Sequence, residues 1–132
     1  MKIVIDSNVI IAAFATHGLC SEVLELCLAE HDIFLCDVII YEVRKALINK
    51  LKIPHRIVKD IIDFINEQSN KVKPSELPKN VCRNPKDLVI LSIAETSGAD
   101  IILTGDKDLL VLRKYKRTRI VAPAEFWKLL RG

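Results

Sequence analysis

Four carboxylates carry the chemistry that this sequence suggests: Asp6, Glu42, Asp87 and Asp106. Two of them close apolar runs. Ile101-Ile-Leu-Thr-Gly-Asp106 stops abruptly at Gly105 and continues at once with an acid. Lys2-Ile-Val-Ile5 runs into Asp6-Ser-Asn8 in the same manner. Open α/β sheets hold ligands outside the carboxyl ends of their strands, so two such ends imply one shared acidic site. Glu42 falls one turn into a helical pattern, and Asp87 falls third after Asn84 at a helix start. Singly, each acid has an ordinary structural role. Asp6 and Asp106 can cap the helices behind them, Asp87 suits the acidic third position of a capping arrangement, and Glu42 can be a solvated glutamate. Jointly they say more. Carboxylates gathered on one edge repel unless cations neutralise them. Oxygen-only donors suit Mg²⁺ or Mn²⁺, and such ions can activate water and stabilise an in-line displacement on a phosphodiester.

The elements that must position these acids follow from the apolar pattern. Strands are expected at 3–5, 33–36, 101–104 and 120–121, all short and continuously apolar, as suits a sheet covered on both faces. Helices are expected at 9–15, 21–30, 38–51, 55–68, 88–97 and 107–112, with a last one from Pro123. Asn84-Pro85-Lys86-Asp87 is a strong helix start, with Asn as cap and Pro at the first position, and Gly98 ends that helix. Residues 38–68 read as a helical hairpin standing away from the sheet. Residues 69–80 read as a connection with a short strand at Val72. Helices alternating with strands predict a three-layer α/β/α sandwich around a mostly parallel sheet. At 132 residues the chain is expected to be a single domain, 1–132, burying roughly two-thirds of its unfolded surface.

Composition narrows the class. The chain is 50% hydrophobic and 28% charged, which predicts a packed globule rather than disorder. Its net charge of +3 permits a phosphate-rich partner without requiring one. Arg113-Lys-Tyr-Lys-Arg-Thr-Arg119 packs five cations into seven residues and reads as a solvated loop or as a nucleic-acid contact. Cys20, Cys27, Cys36 and Cys82 show no metal-type spacing, so reduced thiols in a cytoplasmic protein are expected. Met1-Lys2 leads straight into a strand, so no signal peptide is expected. No apolar run reaches the length of a membrane span.

As an ordered set, Ile3-Val-Ile-Asp6-Ser-Asn8-Val, Tyr41-Glu42, Arg83-Asn-Pro-Lys-Asp87 and Leu103-Thr-Gly-Asp106-Lys-Asp-Leu109 resemble the PIN-domain family. The closing Ile120-Val-Ala-Pro123-Ala-Glu-Phe126 matches as well. Within that family the likeness is to the VapC-like toxins of prokaryotic toxin–antitoxin pairs. The resemblance implies a PIN-like fold and an Mg²⁺- or Mn²⁺-dependent ribonuclease. Its metal ligands would be Asp6, Glu42, Asp87 and Asp106, with Thr104 and Asn8 in support. It further implies an RNA substrate, a protein antitoxin and a homodimer. The family often has an acid where this chain has Asn84. Asp108 could supplement the site or serve as a first-turn acid favoured by the helix dipole. Lys45, Arg83, Lys86, Lys107 and the Arg113–Arg119 run are candidates for holding the RNA backbone.

Three rivals compete with the nuclease. One is a catalytically weak or inactive PIN-like module that binds RNA or a protein partner; the four intact acids count against it. A phosphoacceptor receiver domain would want paired acids after the first strand, where Asp6 stands alone. A dinucleotide-binding domain would want a glycine-rich turn there, and none is present.

Overall fold

Strands that are apolar without interruption need cover on both faces, and the chain provides it. In the computed structural model, which describes residues 1–77 and 84–131, Ile3, Val4 and Ile5 are fully buried, as are Ile102 and Leu103. Burying each such side chain stabilises by roughly 1.5–3 kcal/mol. Arg83 and Cys82, named above, fall outside the described residues.

The elements run β1 (Lys2–Ile5), α1 (Ser7–Ala15), α2 (Leu19–Glu30), β2 (Asp32–Leu35), α3 (Asp37–Asn49), α4 (His55–Gln68) and β3 (Asn70–Lys71). They continue with α5 (Pro85–Ser97), β4 (Ile101–Leu103), α6 (Lys107–Leu110), β5 (Lys114–Tyr115), β6 (Thr118–Val121) and α7 (Pro123–Arg131). The sheet order is β3-β2-β1-β4-β6-β5, parallel except for β5. Helices flank this mostly parallel sheet, giving the three-layer α/β/α sandwich that the alternation predicted. From β1 the chain moves outward to β2 and β3; from β4 it moves the other way to β6. The crevice between β1 and β4 is therefore the switch point at which open α/β sheets bind ligands.

The helix behind Asn84 begins at Pro85, with Asn84 as its cap and Pro85 at the first position as the Asn84-Pro85 start predicted; the apolar pattern begins only at Leu88 because the first turn is polar. The Asn84 side chain accepts the Lys86 N–H at 3.0 Å, and Gly98 closes the helix in the left-handed region at φ +68°. Asp87 and Ser92 lie on its buried surface with Ile90, Leu91, Ile93 and Ala94. Ser92 accepts the Ser75 N–H at 2.6 Å, which pins the 72–77 connection across the helix. The Val72 N–H donates to the Leu35 carbonyl at 2.8 Å, just beyond β3, so the short strand expected at Val72 falls at Asn70–Lys71.

Two expectations need correcting. The 38–68 hairpin does not stand away from the sheet: Val58, Ile62 and Ile65 of α4 share the main core, and α4 contacts both α3 and β3. Only part of its apolar face, including Ile57 and Phe64, stays exposed. The 113–119 run is not a loop but an edge hairpin, with Lys114 opposite Arg119 and Tyr115 opposite Thr118. Arg113 and Lys116 adopt φ of +60° and +54° to make it. Three of its five cations meet acids nearby. Lys116 pairs with Glu95, Arg117 approaches Asp100 at 4.0 Å, and Arg119 approaches Glu125 at 3.9 Å. The largest fully buried side chain is Phe126, which fixes α7 to the core.

Candidate metal centre

The end of β1 meets the end of β4. Ile5 pairs with Leu103, and the Asp6 N–H donates to the Leu103 carbonyl at 2.9 Å. This register places Asp6 beside Thr104, and both are buried. Thr104 Oγ1 donates to Asp6 Oδ2 at 2.8 Å and accepts the Asp106 N–H at 3.0 Å. Asn8 Nδ2 donates to the same Asp6 oxygen at 3.1 Å, while Asn8 Oδ1 accepts the Gly105 N–H at 2.9 Å. One threonine and one asparagine thus lock the two strand ends together.

Asp6 occupies the cap position of α1 yet makes no side-chain cap bond. Its carboxylate points into the crevice, where burial raises its pKa against the lowering effect of the Thr104 hydrogen bond. Asp106 does both jobs. It caps α6 by accepting the Asp108 N–H at 2.9 Å, and it joins Asp87 and Asp108 in a cluster whose carboxylate oxygens lie within 4.8 Å of one another. Asp87 reaches this cluster from the first turn of α5. It is 2% exposed, and its Oδ2 is buried without a hydrogen-bond partner. Burial, the Asp106 carboxyl close beside it and the charges of Asp106, Asp6 and Asp108 push its pKa up to about 7.

The four expected ligands are therefore not equivalent. Asp87 and Asp106 sit in the tight triad, and Asp6 adjoins it closely enough for its charge to act on Asp87. Glu42 stands at the rim. Ser7 Oγ lies 3.4 Å from Glu42 Oε1 and 3.5 Å from Asp6 Oδ1, linking the two, and Lys86 pairs with Glu42. Two contributors were underrated in the sequence: Asp108 completes the triad, and Ser7 bridges β1's acid to α3's. The Asp106-x-Asp108 spacing at a helix start was the available signal for the first. For Ser7 there was none, because its partner is thirty-five residues away.

A cation would offset the repulsion between the buried, unpartnered Asp87 Oδ2 and the two acids beside it. The donor set is all oxygen, which fits Mg²⁺ or Mn²⁺ rather than a softer ion. Asn84, where the family often has an acid, is committed to capping α5.

The PIN-domain sequence profile matches residues 2–108. The uncharacterized protein MJ1680 of Methanocaldococcus jannaschii is 33% identical over 96% of this chain and 89% of its own length. The chain belongs to the PIN-domain family. Two solved structures resemble this PIN-domain chain in fold. A chain of VapBC2 from Rickettsia felis, bound to a promoter DNA fragment, matches with TM-score 0.66 and 15% identity over 92% of this chain and 98% of that one. A chain of VapBC-1 from nontypeable Haemophilus influenzae matches with TM-score 0.66 and 16% identity over 94% and 99%.

The tip of the basic hairpin of this PIN domain lies away from the acids. β6 is parallel to β4, so the 116–117 turn stands at the amino ends of both strands, opposite the carboxylates. Lys45 and Lys86 are better placed. They line a groove of about 390 Å³ beside Glu42, together with Ser7, Tyr41, Asn49 and Lys50.

Proposed function

We propose that this PIN domain is a VapC-like, Mg²⁺- or Mn²⁺-dependent endoribonuclease, acting in the cytoplasm as the toxin of a toxin–antitoxin pair. The observation that carries it is the unpartnered, buried Asp87 Oδ2 within the Asp87–Asp106–Asp108 cluster. Asp6, Asp87 and Asp106 would hold the ion, with Asp108 beside them and Glu42 at the rim. A divalent ion there supplies charge neutralisation for the phosphodiester and for the attack of water upon it.

The chain's own residues prepare that chemistry. Thr104 and Asn8 fix Asp6 Oδ2, and Asn8 holds the Gly105 turn so that Asp106 stays against α5. Lys45, Lys50 and Lys86 offer phosphate contacts along the groove leading away from Glu42. Cys27 is buried and its thiol is pushed up to about 12, so it is no nucleophile. Cys20, Cys27 and Cys36 are unbridged, in keeping with a reducing compartment. No single helix among the described residues is long and apolar enough to cross a membrane.

The fold-level likeness to chains of VapBC complexes supports a protein antitoxin as partner. Exposed Tyr41, Ile57 and Phe64 on α3 and α4 offer apolar surface to it or to a second copy in a homodimer. The deciding experiment is cleavage of RNA with Mg²⁺ or Mn²⁺ by the wild type and by Asp106→Asn. Cleavage by the wild type alone is expected. Equal cleavage by both, or none by either, would overturn the nuclease and leave a module that binds RNA or a protein without cutting.

A further inference from the structure

Lys86 sits oddly for a helix start. It occupies the first turn of α5, where the dipole disfavours a cation. Its backbone N–H is held by Asn84, but its side chain is about half exposed, so the ammonium can move while its root stays fixed. That ammonium pairs with Glu42 Oε2, and its charge reaches Asp6 and Asp87 as well. The same side chain lines the groove that holds Tyr41, Lys45, Asn49 and Lys50. One flexible cation thus borders two places: the acidic cluster and the groove beside it.

We infer that Lys86 is a built-in counter-ion, which neutralises the acidic edge at Glu42 until a divalent ion binds and then turns into the groove to meet a phosphate of single-stranded RNA. The inference rests on the metal-dependent ribonuclease proposed above and adds an exchange of cations to it. A dication among Asp6, Asp87 and Asp106 repels the ammonium, whose charge already reaches Asp6 and Asp87, so the incoming ion loosens the Lys86–Glu42 pair. The displaced ammonium, half exposed and solvated, is free to meet a phosphate of a strand in the groove. Tyr41 is 64% exposed on the groove wall and provides a face on which a base can stack. Lysine suits the exchange because it is a compact charge on a flexible stem, with no fixed fork to hold it in place.

The test is Mn²⁺ binding by the RNA-free protein, followed by electron paramagnetic resonance of the unbound ion. Lys86→Gln should bind Mn²⁺ more tightly, by on the order of three- to thirtyfold, since one competing cation a few ångströms away has gone. It should also melt earlier in chelator and raise KM for single-stranded RNA with little change in kcat. Lys86→Arg keeps the charge and should retain wild-type Mn²⁺ affinity. Lys59→Gln, on the outer face of α4, should leave it unchanged. Equal or weaker Mn²⁺ binding by folded Lys86→Gln would overturn the inference, as would tightening in either of the other two variants. Failure of the wild type to bind Mn²⁺ would instead strike the metal-dependent reading beneath it.

Discussion

Replacing Asp87 by Asn should stabilise the metal-free protein at neutral pH while destroying its affinity for divalent ions. In the folded state burial and three neighbouring acids hold the Asp87 pKa at about 7, against an ordinary 3.8. Between these values the folded chain binds a proton that the unfolded chain has released. Stability therefore falls as pH rises from about 4 to about 7, and above 7 the cost is complete. Three pKa units at about 1.4 kcal/mol each set an upper limit of about 4 kcal/mol. Asp87→Asn carries no such charge, so its urea midpoint should fall less across that window at matched ionic strength, the remaining slope coming from the raised pKa of buried Asp6. The gap between variant and wild type, both in chelator, should be small at pH 4.5 and several kcal/mol at pH 8. Saturating Mg²⁺ should reverse the order at pH 8, because the ion stabilises only the chain whose Asp87 is ionised. For the wild type, Mg²⁺ affinity should rise as pH climbs towards 7, since binding must release that proton. Parallel stability profiles for the two chains in chelator would refute the account of Asp87 as a strained, ion-seeking carboxylate.

Other expectations follow from the same geometry. Thr104→Val removes the hydroxyl that bonds Asp6 Oδ2 and the Asp106 N–H, and should weaken Mn²⁺ binding or RNA cleavage by about 10- to 100-fold with the fold intact by circular dichroism. Asn84→Ala deletes the cap of α5 and should cost about 1 kcal/mol in urea unfolding. Because that cap sets the first turn carrying Asp87, Mn²⁺ affinity should fall with it. Phe126→Ala empties the largest fully buried position and should cost about 3–5 kcal/mol, which chemical denaturation would register without change in the metal affinity of the remaining folded protein.

The acidic edge was legible in the sequence because its main parts are local signals. Ile3–Ile5 before Asp6 and Ile101–Thr104 before Asp106 read as strands ending in acids, and strands ending in a parallel sheet share an edge. Asn84-Pro85 at a helix start is equally local, since a cap and a proline each act within one turn. The alternation of these pieces fixed the three-layer class.

The division of labour among the acids was not legible. Asp6 and Asp106 each stand between an apolar strand and a helix, yet only Asp106 caps its helix; Asp6 is drawn inward by Thr104 and Asn8. That choice depends on the β1–β4 register, which joins residues 98 apart. The pairing of Lys86 with Glu42 across α5 and α3, and the Ser7 bridge from Asp6 to Glu42, are likewise contacts between distant segments. The Arg113–Arg119 run was not legible as a hairpin: the β5–β6 pairing carries its 116–117 tip to the other end of the sheet, while Arg113 stays opposite Ile120. A sequence records which residues are polar, apolar or charged and how they repeat along one element. Which carboxylate loses its water, and which cation stands beside it, is decided only when the elements pack.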